Sequence, residues 1–144
     1  MRNAFAAGHR RVAIAGTDVP DLDARVAAHA LASLETHQAV FGPADDGGFY
    51  LLALSALPDG LFQDIEWSTA SVLGDTVAAA QRHGLSVAPL DTLPTLLDVD
   101  TTEDLRRWCA AQQAAAAQQQ EGGGGDELLT VALRLLADAP PAPS

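Results

Sequence analysis

Val12-Ala13-Ile14-Ala15, running into Gly16-Thr17-Asp18-Val19-Pro20, is an apolar run that stops in a turn. It reads as a buried strand with a carboxylate at its exit. Upstream, residues 3 to 11 have the composition of an Ala-rich helix tail closed by Gly8. Downstream, Leu22, Val26, Ala30 and Leu34 fall at steps of four, which keeps one helix face apolar, and Asp21 is placed to cap that helix. Ala39 to Gly42 and Phe49 to Leu54 read as short strands around the loop Pro43-Ala44-Asp45-Asp46-Gly47-Gly48. A second helix is expected from Ser68, with Val72, Leu73, Val77 and Ala80 on one face and Gly84 at its stop. Leu85 to Leu90 is a further predicted strand, and Asp100-Thr101-Thr102-Glu103 is a capping-box pattern ahead of Leu105 and Trp108.

Strands alternating with helices predict an α/β domain with a largely parallel sheet, whose ligands sit outside the carboxyl ends of the strands. The 144 residues suffice for one core, and 48% hydrophobic against 19% charged residues is a folding composition. Beyond Cys109 the composition turns to Ala/Gln and then Gly122 to Gly125, so the compact unit is expected to end near residue 117. A low-complexity linker is expected over 118–126, an amphipathic helix over 127–139 and a disordered tail over 140–144. That last helix either docks on its own domain or binds a partner.

All 8 basic residues are Arg, against 19 acids, for a net charge of -11. Such a field repels phosphate backbones and anionic lipid, so neither nucleic acid nor a membrane is an expected partner. No apolar run is long enough for a membrane span, and MRNAFAAGHRR lacks the apolar core of a signal peptide. Cys109 is the single cysteine, which leaves no internal disulfide and fits a reducing, cytoplasmic setting.

Several acids fall in loops after strand-like runs. Asp18 sits at a strand end stiffened by Pro20 and either offers oxygen to a hard divalent cation or closes a turn. Asp45 and Asp46 precede Gly47 and Gly48, where the missing Cβ atoms let backbone approach a ligand or let the chain turn tightly. Asp98 and Asp100 are spaced by two on an extended segment, so both project to one side, although Asp100 also suits a helix cap. Trp67 offers a face for stacking on a sugar or base or a staple for a helix entrance, and Ser68 and Thr69 are candidate caps. His9, His29, His37 and His83 show no ligand spacing.

Taken in order, AGTDVPDL, FGPADDGGFYLLAL, LFQDIEWSTASVL and LLDVDTTEDL resemble the rSAM/selenodomain-associated transferase family, glycosyltransferases of the nucleotide-diphospho-sugar transferase (GT-A) fold. The resemblance runs from about Arg2 to Trp108. More distantly, the chain is similar to nucleotidyltransferases that activate molybdopterin or phospholactate. The resemblance implies a partial GT-A-like sheet flanked by helices and transfer from a nucleotide-sugar donor to a small-molecule acceptor. It makes Asp18, Asp98 and Asp100 ligands of Mg²⁺ or Mn²⁺. Asp45 and Asp46 become the catalytic acids, and Gly47, Gly48, Trp67, Ser68 and Thr69 bind substrate. Where the family has Pro after the Ser-Thr pair and after the last Asp-Thr, this chain has Ala70 and Thr102.

In that fold a first strand and a glycine-rich, basic loop that hold the nucleotide precede all four segments. The chain is therefore expected to correspond to the later part of a transferase domain. Self-association, or a partner supplying the N-terminal half, is the associated expectation. Nucleotidyl transfer to a phosphorylated acceptor, and a non-catalytic interaction module, are the alternative functions.

Overall fold

The structure, a computed structural model, describes residues 1–118 and 127–138, with side chains over 1–116 and 128–133. Most of the expected linker and the whole expected tail lie outside the described residues. Contacts divide the chain into two compact units that meet at Asp98 and Val99.

In the first unit the elements are α1 (Arg2–Ala6), β1 (Val12–Ala15), α2 (Ala24–Ser33), β2 (Ala39–Pro43), β3 (Phe49–Leu54) and α3 (Val72–Arg82), then a 3₁₀ turn, Leu90–Thr92. The sheet order is β1-β3-β2, and both pairings are antiparallel. This corrects the expected parallel sheet. Residues 44–48 join β2 to β3, far too few for the crossover that a parallel neighbour requires. The β1–α2–β2 passage does leave β1 and β2 pointing the same way, but β3 lies between them.

Parallel pairing survives as two isolated bridges on the outer side of β2, Ala39 with Val87 and Ala44 with Leu96. The first is all that forms of the strand expected over Leu85 to Leu90. Ala88 N–H reaches Ala39 O at 2.9 Å, and Pro89 then has no N–H with which to extend a ladder.

β3 is buried on both faces, which explains its unbroken apolar run. Side chains alternate across it. Leu52 and Leu54 join Phe41, Leu61, Val72, Ala79 and Ala80 on the α3 side. On the α2 side, Leu51 and Ala53 join Val40, Ala30, Leu34 and Val19, with Leu22 and Val26 packed against them.

The register breaks near the hairpin, where Gly42 pairs with Leu51 but Pro43 pairs with Phe49, so Tyr50 is the extra residue of a bulge. Its ring lies where a Cβ on Gly42 would stand, 2.5 Å away at the nearest atom, and its hydroxyl donates to Pro94 O at 2.9 Å. Burial pushes the Tyr50 phenol pKa up. The same turn needs glycine at 47, whose φ is +93° and whose Cβ would come within 2.2 Å of Ala70 O. Gly47 O in turn accepts from Leu73 N at 3.2 Å, tying the hairpin to the start of α3.

Helix starts differ from expectation by a few residues. Asp23, not Asp21, caps α2: its Oδ1 accepts from the backbone N–H groups of Arg25 at 2.8 Å and Val26 at 3.0 Å. Leu22 is held in the preceding turn by its N–H bond to Val19 O at 3.1 Å. The Val26 N–H and the Arg25 guanidinium hold the Asp23 carboxyl below the usual aspartate range. α3 begins at Val72 rather than Ser68, because the Thr69 hydroxyl donates to Glu66 O at 3.0 Å and Ser68 turns to φ +62°.

In the second unit, α4 (Thr102–Gln118) and α5 (Glu127–Asp138) contact each other. The capping box falls one residue later than predicted. Thr101 Oγ1 accepts from Asp104 N at 3.2 Å, and Asp104 Oδ2 accepts from Thr101 N at 3.0 Å, so neither Asp100 nor Glu103 serves it. Trp108, Cys109 and Ala132 are buried, and burial raises the Cys109 thiol pKa. Among the described residues no helix is long and apolar enough to cross a membrane.

Three substitutions test these local constraints. Gly47→Ala is expected to destabilise by about 2 kcal/mol or more in urea unfolding, since the new Cβ meets backbone at a positive φ. Gly48→Ala is expected to cost less than about 1 kcal/mol, because its Cβ would meet only the side-chain carboxylate of Asp46 and no backbone. Asp23→Ala is expected to lower the thermal midpoint by a few degrees at neutral pH. A lowered native pKa gives stabilisation that is complete above the unfolded value of about 3.9 and fades as the pH falls through the native value. Melts of wild type and variant should therefore converge as the pH falls below the native value.

Candidate active site

β1 delivers Asp18 to the end of the sheet through a short turn. Gly16 N–H donates to Tyr50 O at 2.8 Å, which continues the β1–β3 pairing one residue past the strand. Buried Val19 then anchors the chain on the α2 side. Between these two fixed points Asp18 is left exposed. A Cβ on Gly16 would stand 3.0 Å from Asp18 Oδ1, so glycine there leaves space for the carboxylate.

The segment after the 3₁₀ turn brings in a second acid. Leu96 N–H donates to Pro43 O at 3.1 Å and Asp45 N–H to Leu96 O at 3.1 Å, so residues up to Asp98 follow the outer edge of β2 towards the same end of the sheet. Asp98 is half-buried, and its carboxylate offers an oxygen within 4.8 Å of one on Asp18. Two like charges so close repel each other unless a cation lies between them. An all-oxygen pair of this kind suits a hard divalent cation, which fills its remaining positions with water or phosphate oxygen. Asp100 follows two residues later and is exposed, at the opening of the second unit.

Asp45 and Asp46 sit exposed in the β2–β3 loop. Asp46 Oδ1 accepts from Gly48 N at 2.8 Å, and Ala44 N donates to Gly48 O at 3.0 Å. One oxygen of Asp46 therefore closes the turn. The Gly48 N–H is spent within the loop, and the geometry of Gly47 is fixed by packing on Ala70. Glycine at 47 is thus accounted for by the turn itself.

Trp67 stands out of the long connection between β3 and α3, 54% exposed. Its ring meets Phe49 at 6.4 Å and Phe62 at 6.0 Å between centroids, and Phe49 meets Phe41 edge-on at 5.5 Å. A row of aromatic contacts thus runs from the core to an exposed indole. Asp64 and Ser68 flank Trp67 with φ of +60° and +62°, the positive-φ residues other than glycine among those described. Such backbone is sparsely populated and persists only where its surroundings impose it. Ser68 is exposed, and Thr69 Oγ1 lies 3.1 Å from Ser71 Oγ, so these two side chains organise the turn before α3.

Three residues important to this arrangement carry only a weak signal in the sequence. Gly16 and Tyr50 hold the exit of β1, and Phe62 supports Trp67. The Gly-Thr-Asp run pointed to a turn, but nothing local announced that Tyr50 would be bulged.

Comparisons with known proteins agree with this architecture. Residues 1–69 match a family model described as "Uncharacterized protein conserved in bacteria (DUF2064)". No curated protein matches the chain. A crystal structure of a "putative nucleotide-diphospho-sugar transferase" from Desulfovibrio desulfuricans G20 superposes with a TM-score of 0.74 at 30% identity over 94% of this chain. The chain spans 58% of the length of that protein.

Proposed function

We propose that this chain carries the metal-binding and acceptor side of a glycosyltransferase that takes a nucleotide-sugar donor. The observation that carries this reading is the approach of the Asp18 and Asp98 carboxylates within 4.8 Å, at one end of a sheet shared with a nucleotide-diphospho-sugar transferase-like structure. Asp18 and Asp98 hold the cation, Mg²⁺ or Mn²⁺, and Asp100 is the third acid, two residues along the chain. The bound cation supplies charge for the donor's diphosphate as the glycosyl bond breaks.

The remaining roles follow from where the side chains stand. Asp45, or the second oxygen of Asp46, accepts the proton of the acceptor hydroxyl as it attacks. Trp67 offers its exposed face to a sugar or a base, held upright by Phe49 and Phe62. Ser68 and Thr69 line the same turn, while Gly47 and Gly48 keep the hairpin narrow beside the acids. The charge of -11 makes a cation the natural intermediary for an anionic donor.

Membership of the rSAM/selenodomain-associated transferases, a cytoplasmic setting, and a nucleotide-binding part outside this chain belong to the same proposal. The alternative reading is an interaction module without turnover.

Calorimetric titration with Mn²⁺ is expected to show one site, and Asp18→Asn to weaken it at least about tenfold. The exposed turn contributes little to the core, so stability should change by less than about 1 kcal/mol. Unchanged Mn²⁺ affinity together with a large loss of thermal midpoint would make Asp18 a turn residue and end the metal reading. In product analysis, release of a nucleoside diphosphate from a nucleotide sugar supports glycosyl transfer, and pyrophosphate from a nucleoside triphosphate means nucleotidyl transfer. Metal binding without either product, in an assay that also supplies the nucleotide-binding part, supports the interaction module.

A further inference from the structure

One residue grips both segments that carry the paired carboxylates. The backbone O of Tyr50 accepts from Gly16 N at 2.8 Å, just ahead of Asp18. Its side-chain hydroxyl donates to Pro94 O at 2.9 Å, one short stretch ahead of Asp98. The bulge makes both contacts possible. With Gly42 paired to Leu51 and Pro43 to Phe49, the Tyr50 ring turns to the α2 side of the sheet and packs in the cluster of Val19, Leu51 and Leu93. There it takes the place of a Cβ on Gly42, 2.5 Å from its nearest atom. Glycine inside a strand marks a close approach of this kind. The side chain thus starts on β3, passes over β2 at Gly42, and reaches the segment that lies along the outer edge of β2.

Neither packing nor hydrogen-bond satisfaction accounts for the hydroxyl. Tyr50 is 3% exposed, and phenylalanine would fill the same space with no polar atom to satisfy. Pro94 is exposed, so its carbonyl has water as an alternative partner. What the bond adds is direction. Leu96 is bridged to the edge of β2, with its N–H on Pro43 O and its O on Asp45 N, each at 3.1 Å. A segment held at one bridge can pivot about it. A second fixed point at Pro94 sets its line, and that line leads to Asp98. Two carboxylates act on one cation only when each is held to within about 0.5 Å of its working position.

We propose that Tyr50 is a positioning residue of the cation site: its hydroxyl fixes segment 94–98 so that the Asp98 carboxylate meets that of Asp18. The inference rests on the metal reading above and adds the residue that sets the spacing of the two acids. Tyr50 itself touches neither the cation nor the substrate. It acts through the backbone at Pro94, while its own carbonyl steadies the turn of Asp18 from the other side.

Calorimetric titration of the full chain with Mn²⁺ and, separately, with Ca²⁺ tests this role. Tyr50→Phe keeps the ring and removes the hydroxyl. It is expected to lower Mn²⁺ affinity by about threefold to tenfold. Ca²⁺ affinity should fall by less than about twofold, because Ca²⁺ accepts longer and more variable oxygen geometry. The metal-free thermal midpoint should move by no more than about 4 °C. Asp98→Asn should weaken Mn²⁺ binding by about tenfold. Adding Tyr50→Phe to it should cost nothing more, since the hydroxyl acts through that carboxylate. Equal losses for the two cations, a larger fall of the midpoint, or the same Mn²⁺ loss repeated in the Asp98→Asn background would make Tyr50 a packing residue and overturn the proposal. Unchanged Mn²⁺ affinity in Tyr50→Phe, with Asp18→Asn and Asp98→Asn both weakened, overturns the positioning role and leaves the metal reading standing. Unchanged affinity in Asp18→Asn, or no Mn²⁺ bound by wild type, ends the metal reading and this inference with it.

Discussion

The placement of β3 between β1 and β2 is the constraint on which the rest depends. A strand covered on both faces must be apolar at every position, and Phe49 to Leu54 is. Once it is central, one face collects α3 with Leu61 and Ile65, and the other collects α2 with Val19 and Leu93. The two helices could not both bury their apolar stripes on a strand that alternated apolar with polar.

The same central strand sets the geometry of the acids. Its hairpin with β2 places Asp45 and Asp46 at one end of the sheet. Its pairing with β1, extended by the Gly16 bond to Tyr50, holds the turn that presents Asp18. Tyr50 links these features: as the bulged residue it requires glycine at 42, and its hydroxyl grips Pro94 O. Pro94 lies just before the segment that carries Asp98. One bulge therefore connects the hairpin, the exit of β1 and the late acidic segment, and a bulge beside a functional site is a familiar way of aiming side chains.

Centrality of β3 also leaves β1 on the outside. A strand with a regular apolar repeat and no protective charge or proline is unusual at an edge. On the far side of the sheet, β2 is covered by the bridges to Val87 and Leu96.

The sequence by itself determined the elements that local periodicity can report. The apolar runs of β1, β2 and β3, the stripe Leu22, Val26, Ala30, Leu34, and the stop of α3 near Gly84 are all legible, because burial of one face imprints a period of two or 3.6 on the chain. So is the presence of acids in the loops after strand-like runs. Caps were read a few residues off, since Asp21, Asp23, Ser68 and Thr101 are all chemically suitable and only competing turn hydrogen bonds choose among them. Tertiary structure alone decided that the sheet is antiparallel and that Trp67 stands on an aromatic row. Strand order is a contest between edges distant in sequence, and periodicity records that a face is buried without recording which neighbour buries it.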